Sequence, residues 1–204
     1  MLDEAQDRVT RRLAAILVAG YSRLLPGDEK ENFAELRALL TGVVEPQIGE
    51  FGGNIFKETA ELVLADFDDV VMAARCAAAL RDAVAQTNQT LPEERRIAMR
   101  VGINFGDIIA EEGDIFGDGV NIAARVEALA KPGSVYVSEI VHQQVDDKVD
   151  FDFEDLGTKS LKNITSPIRV YRSDGKIVEK TADAPGSPRF DDSPCHRGAA
   201  IFES

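Results

Sequence analysis

Asn121 and Arg125 stand four residues apart, directly after the run Gly113-Asp114-Ile115-Phe116-Gly117-Asp118-Gly119. On a helix that spacing sets the two side chains beside each other. An amide and a guanidinium together, just past a Gly-rich helix start, suit an anion on which charge develops. The spacing alone favours a plainer reading, a solvated Asn and Arg on an ordinary amphipathic helix. Ile122, Val126 and Leu129 supply that helix with an apolar stripe and are expected to face a core.

Such a pair needs a scaffold, and the composition permits one. The chain has 204 residues, 44% of them hydrophobic and 29% charged, which fits a globular domain with appendages. A net charge of -13 argues against a nucleic-acid binder. It leaves room for a nucleotide, because a local cluster can hold phosphate inside an acidic protein. Cys76 and Cys195 are the only cysteines and imply no disulfide framework. With only His142 and His196 present, zinc and histidine acid–base chemistry nearly drop out. Any metal would fall to carboxylates, which favours Mg²⁺ or Mn²⁺. Met1 to Arg12 lacks the apolar segment of a signal peptide, and no apolar run approaches the ~18 residues of a membrane span. A cytoplasmic location is expected.

Read in order, Leu13 to Ala19 is a buried strand that Gly20-Tyr21-Ser22 interrupts. Asp28 or Asn32 caps a helix striped by Phe33, Leu36, Leu39 and Leu40, which runs to about Ile48. Asn54–Glu58 and Leu62–Phe67 form a hairpin around Thr59-Ala60-Glu61. Asp68-Asp69 starts a second helix, and Ala98 to Phe105 alternates as a strand. Strand, helix, strand, strand, helix, strand is the ferredoxin-like βαββαβ arrangement, an α+β fold with helices on one face of an antiparallel sheet. Asp107 to Glu112 adds a strand, followed by the Asn121 helix and a strand at Ser134 to Val137. Ser138 caps a short helix to about Val145, and Phe151–Leu156 with Ile168–Tyr171 close the sheet. This divides the chain into an arm (1–11), a domain (12–173) and a tail (174–204) expected to be disordered for want of periodicity.

Four stretches carry a resemblance: Asn54-Ile55-Phe56-Lys57, Arg100 to Gly106, Asp114 to Arg125, and Leu161-Lys162-Asn163-Ile164. Together, over roughly Arg12 to Arg172, they resemble the class III adenylate/guanylate cyclase catalytic domain in its bacterial adenylate-cyclase-like branch. The resemblance implies conversion of ATP to cyclic AMP and pyrophosphate with two divalent ions, Mg²⁺ or Mn²⁺, at a site shared by two chains. Lys57 then matches the lysine that reads the adenine ring, and Asp114 the aspartate that accepts from its amino group. The chemistry agrees, since a lysine donor suits ring N1 and a carboxylate suits an exocyclic NH₂, whereas guanine inverts both demands. Asn121 matches the residue that orients the ribose, Arg125 the one that stabilises charge on the transferred phosphorus, and Lys162 a lysine for the terminal phosphates.

The metal half departs from that pattern. The family's aspartate after the first strand is expected just before the segment matching Val18 to Arg23, where about three residues are absent and the aspartate with them, a gap judged by motif spacing. Between Arg12 and Leu25 there is no acidic residue. The family's second aspartate sits in a Gly-Asp-Gly hairpin tip, which here reads Ala60-Glu61-Leu62. Glu61 is the candidate metal ligand, a degenerate one; Asp66, Asp68 and Asp69 are the other carboxylates weighed, and strand geometry puts them several residues from the tip. Three readings follow. The chain is a working adenylate cyclase, homodimeric; or it is a cyclase-like partner that completes a site with a metal-competent relative; or it is an ATP-binding regulatory remnant. No nucleic acid or membrane span enters any of them.

Overall fold

Residues 14 to 21 are buried without a break, which a strand achieves only when both of its faces are covered. This strand, β1 (Thr10–Arg23), pairs antiparallel with β3 (Leu62–Phe67) on one side and β4 (Ile97–Glu111) on the other. The computed structural model describes residues 10–23, 34, 36–59, 61–111, 114–149, 152–162, 164 and 166–173. Within these, β2 (Asn54–Glu58) extends the sheet beyond β3. On the far side β6 (Ser134–Ser138) runs parallel to β4, and β8 (Ile168–Ser173) and β7 (Phe153–Lys159) follow antiparallel. The order is β2-β3-β1-β4-β6-β8-β7, with β5 (Asp114–Phe116) folded back on the end of β4. The β2-β3-β1-β4 portion is the ferredoxin-like core expected from the sequence; the parallel β4–β6 pair makes the full sheet mixed.

Alternating residues of β1 face opposite layers. Ala15, Leu17, Ala19 and Tyr21 pack beneath the helical segment 36–50, α2 (Val70–Thr90) and α4 (Glu139–Val145). Ala14, Ile16 and Val18 meet Ala123 of α3 (Asp118–Leu129) on the other face. Asp69 caps α2, its carboxylate accepting from the Val71 N–H at 2.7 Å. The 36–50 segment carries a π-helical stretch, Leu40–Val44, before α1 (Glu45–Glu50). Pro46 explains it: the ring has no N–H and crowds the carbonyl four residues back, so the turn widens and Glu45 donates to Leu40 instead.

Several local expectations give way to tertiary pairing. Gly20-Tyr21-Ser22 does not end the first strand, because Gly20 pairs with Leu62 on one side and Arg100 on the other. Asp107 does not open a separate strand; β4 passes through Gly106 without interruption, paired to Ala14 of β1. β1 already begins at Thr10, inside the stretch assigned to the arm. Leu129 is 40% exposed, and the face of α3 turned to the sheet is Gly119, Ala123, Val126 and Glu127. Ser138 stands at the start of α4, but its hydroxyl makes no capping bond. The caps proposed at Asp28 and Asn32, Ala60 at the hairpin tip, and the tail 174–204 lie outside the described residues.

The seat of α3 is Gly102 on β4. A Cβ there would lie 2.3 Å from the Glu127 backbone nitrogen and 2.7 Å from the Ala123 carbonyl oxygen. Neither backbone atom can move without lifting the helix. Gly102→Ala should therefore lower stability by about 1–3 kcal/mol, the usual cost of overpacking. Gly49→Ala, where nothing lies within 4 Å, should be neutral or slightly stabilising. Urea denaturation midpoints measure both; a Gly102→Ala protein as stable as wild type would refute this seat.

Candidate functional site

The chain enters α3 from β5 through Gly117, whose φ of 125° is open to glycine alone. A Cβ there would also press 2.9 Å against the Asp107 carbonyl oxygen. Asn104, buried on β4, donates from Nδ2 to the Gly119 carbonyl at 3.1 Å and ties the first turn of α3 to the sheet. With Gly119, Ala123, Val126 and Glu127 turned inward, Asn121 and Arg125 are left exposed on the outer face. The helix thus presents the amide and guanidinium together, as their spacing requires.

Lys57 is exposed on β2, and β2 lies against β5, the strand that begins at Asp114. Asp114 pairs with Glu111 across the β4–β5 turn. Lys57, Asp114, Asn121 and Arg125 therefore come from three neighbouring elements, β2, β5 and α3. Lys162 is exposed in the connection between β7 and β8. Its place beside the other four rests on the resemblance.

The metal half is built differently. The extension of β1 is laced to the hairpin tip: the Tyr21 N–H donates to the Glu61 carbonyl at 2.9 Å, and the Tyr21 hydroxyl to the Thr59 carbonyl at 3.2 Å. Burial, then the charges of Glu58 and Glu45, push Tyr21 up to about 12, so it remains a neutral donor. Glu61 itself is exposed, its N–H bonded to Thr59 Oγ1 at 3.3 Å. A Cβ on Gly20 would fall 2.3 Å from Glu127 Oε1 and 2.9 Å from Glu127 Cδ. The Glu127 carboxylate thus fills the space into which any side chain at position 20 would project. Among the described residues, no three His, Cys, Asp or Glu side chains converge as metal ligands would. Paired Mg²⁺ or Mn²⁺ ions need carboxylates that bracket a span of roughly 3.5–4 Å. The described residues do not fit such a pair, since none of them joins Glu61 in a converging set of ligands.

Glu127 is the residue the sequence reading missed. Its side chain is buried on α3 and pairs with Arg100 Nε of β4 at 3.1 Å. Burial raises its pKa, with the Arg100 charge and hydrogen bond pulling the other way. The available signal was its spacing four residues after Ala123, on the stripe that faces the sheet.

Comparison with known proteins fits this geometry. The sequence model of the Adenylate and Guanylate cyclase catalytic domain matches residues 46–174, more than half of the chain. The chain belongs to the class III adenylate/guanylate cyclase family. It is 48% identical over 170 residues to a protein named Putative adenylate cyclase 3 from Rhizobium meliloti, covering 82% of this chain and 29% of that one. An adenylate cyclase from Streptomyces coelicolor is 33% identical over 134 residues, covering 65% and 34%. The chain thus spans about a third of the length of these curated relatives. A crystal structure of an Adenylate/Guanylate Cyclase/Hydrolase from Silicibacter pomeroyi superimposes with a TM-score of 0.77 at 42% identity, covering 81% of this chain and 98% of that one. The adenylyl cyclase CyaB from P. aeruginosa shares the fold at a TM-score of 0.67 and 18% identity, covering 81% and 95%. No helix among the described residues of this cyclase domain is long and apolar enough to cross a membrane.

Buried Glu127, paired with the partly exposed Arg100, has a pH signature. A carboxyl whose folded pKa is raised stabilises the fold below its ordinary value of about 4.3 and loses that contribution as pH rises through the raised value. Glu127→Gln does not titrate. Its stability relative to wild type should therefore improve steadily as pH rises above about 4, read from urea midpoints over a pH series. A difference independent of pH would contradict the burial of this carboxyl.

Proposed function

We propose that this cyclase domain supplies the nucleotide-gripping half of an adenylate cyclase site and takes the cation-binding half from a metal-competent relative. The observation that carries the reading is the Glu127 carboxylate lodged over Gly20. It bars any carboxylate-bearing side chain from position 20, in the interior of β1, while α3 leaves Asn121 and Arg125 exposed. Two copies of this chain would then hold two grips and no cation site.

In that role Lys57 donates to the adenine ring nitrogen and Asp114 accepts from the amino group, selecting ATP over GTP. Asn121 positions the ribose so that its 3′-oxygen faces the α-phosphorus. As that oxygen bonds to phosphorus and loses its proton, the bond to pyrophosphate breaks, and Arg125 stabilises the charge on the phosphoryl oxygens. Lys162 holds the departing β- and γ-phosphates. The names of the relatives support the adenylate cyclase type of chemistry, and the Lys57/Asp114 donor and acceptor agree with adenine.

The test mixes the purified chain with a metal-competent relative whose own adenine-reading and Asn/Arg residues have been removed. Cyclic AMP should form only in the mixture, and Arg125→Ala should reduce it by about 10²-fold or more, the scale of losing one donor to transition-state charge. ATP binding without cyclic AMP in the mixture would favour the regulatory reading and defeat this one. Cyclic AMP from the chain alone would also defeat it.

A further inference from the structure

A cleft of about 530 Å³ opens where the end of β4, the first turn of α3, the start of α4 and the start of β8 meet. That volume is in the range that holds a small molecule. The cleft touches none of Lys57, Asn121, Arg125 or Lys162. Its polar lining includes Asp107, Asp118 and Glu139, and its walls include Ile122, Ile140 and Ile168. Arg169, the one cation among the described residues that line it, is taken by the Asp155 carboxylate, to which its Nε donates at 3.0 and 3.1 Å while Nη2 bonds the same group. Glu139 acts on Arg169 more weakly, through its charge. The cleft is therefore negative.

A second observation points independently to an occupant. Ser138 lines the cleft and is 1% exposed, yet its Oγ has no hydrogen-bond partner among the described residues. A serine at the start of a helix ordinarily bonds an N–H of the first turn, and this one does not. A hydroxyl removed from water and left unbonded is costly unless a ligand meets it.

We propose that this cleft is a second ligand site and that it takes an aliphatic polyamine. Asp107, Asp118 and Glu139 come from three different elements, β4, α3 and α4, and among the described residues no three such side chains converge as metal ligands would. Separated anions match ammonium groups spaced along a methylene stem, while Ile122, Ile140 and Ile168 cover the stem. Ser138 Oγ accepts from one ammonium group. Gly119 and Ile122 of α3 line the cleft while Asn121 and Arg125 stand on the outer face of the same helix, so an occupant would brace the helix that presents them.

Isothermal titration of the full chain with spermidine, at two ionic strengths, tests this directly. The site predicts saturable binding that weakens roughly tenfold or more in Asp107→Asn/Glu139→Gln, the scale of losing charge-assisted hydrogen bonds. Ile140→Arg sets a fixed cation at the rim, where Ile140 is 44% exposed, and should abolish binding without disturbing the core. Glu93→Gln/Glu94→Gln, on an exposed turn away from the cleft, should leave binding unchanged. Absence of saturable binding, equal loss in the Glu93/Glu94 variant, insensitivity to both cleft variants, or Mg²⁺ alone reproducing the isotherm would each overturn the assignment.

Discussion

A carboxylate taken out of water must be held by a charge, and Glu127 is held by Arg100 across the meeting of α3 and β4. The rest of the site depends on that contact. It keeps the helix pressed onto Gly102, and it lets the same carboxylate lie over the bare backbone of Gly20. One side chain thereby braces the helix that carries Asn121 and Arg125 and fills the space over Gly20 within β1. A lysine or glutamine at 127 would leave Arg100 unpaired or repelled, so the two roles cannot be separated by a mild change of charge.

The helix has two faces with different duties. Inward, Gly119, Ala123 and Val126 allow an approach to the sheet close enough for backbone contact, with Asn104 bonding the first turn from below. Outward, an exposed amide and guanidinium face solvent, ready for a ligand or a partner chain. Rigid backing beneath exposed polar groups is what positioning chemistry needs, because a displacement of about 1 Å can cost about 10²-fold in rate. The hairpin tip is equally fixed, but by Tyr21 and Thr59, in a form that leaves Glu61 in solvent rather than beside another carboxylate.

Much of this was legible in the residues. The β2–β3 hairpin, the Asp69 cap and the strand–helix alternation follow from local pattern, and so does the shared face of Asn121 and Arg125. What escaped was non-local. Gly20 and Gly106 carry turn signals, yet long partner strands on each side hold both in ladders. Leu129 continues the apolar stripe but is 40% exposed, while Glu127 lies inward beside an arginine far away in sequence. The lack of any acidic residue between Arg12 and Leu25 was visible in the letters. That the Glu127 carboxylate lies over Gly20 was not, because no spacing rule connects positions 20 and 127.

Titration of ATP into the isolated chain, once with Mg²⁺ and once with the cation chelated, tests the central claim most directly. The account predicts saturable binding in both conditions, lowered by Lys57→Ala and unaffected by Glu61→Gln. A Mg²⁺-dependent gain in affinity that Glu61→Gln abolishes would show that a cation site survives, and would contradict it.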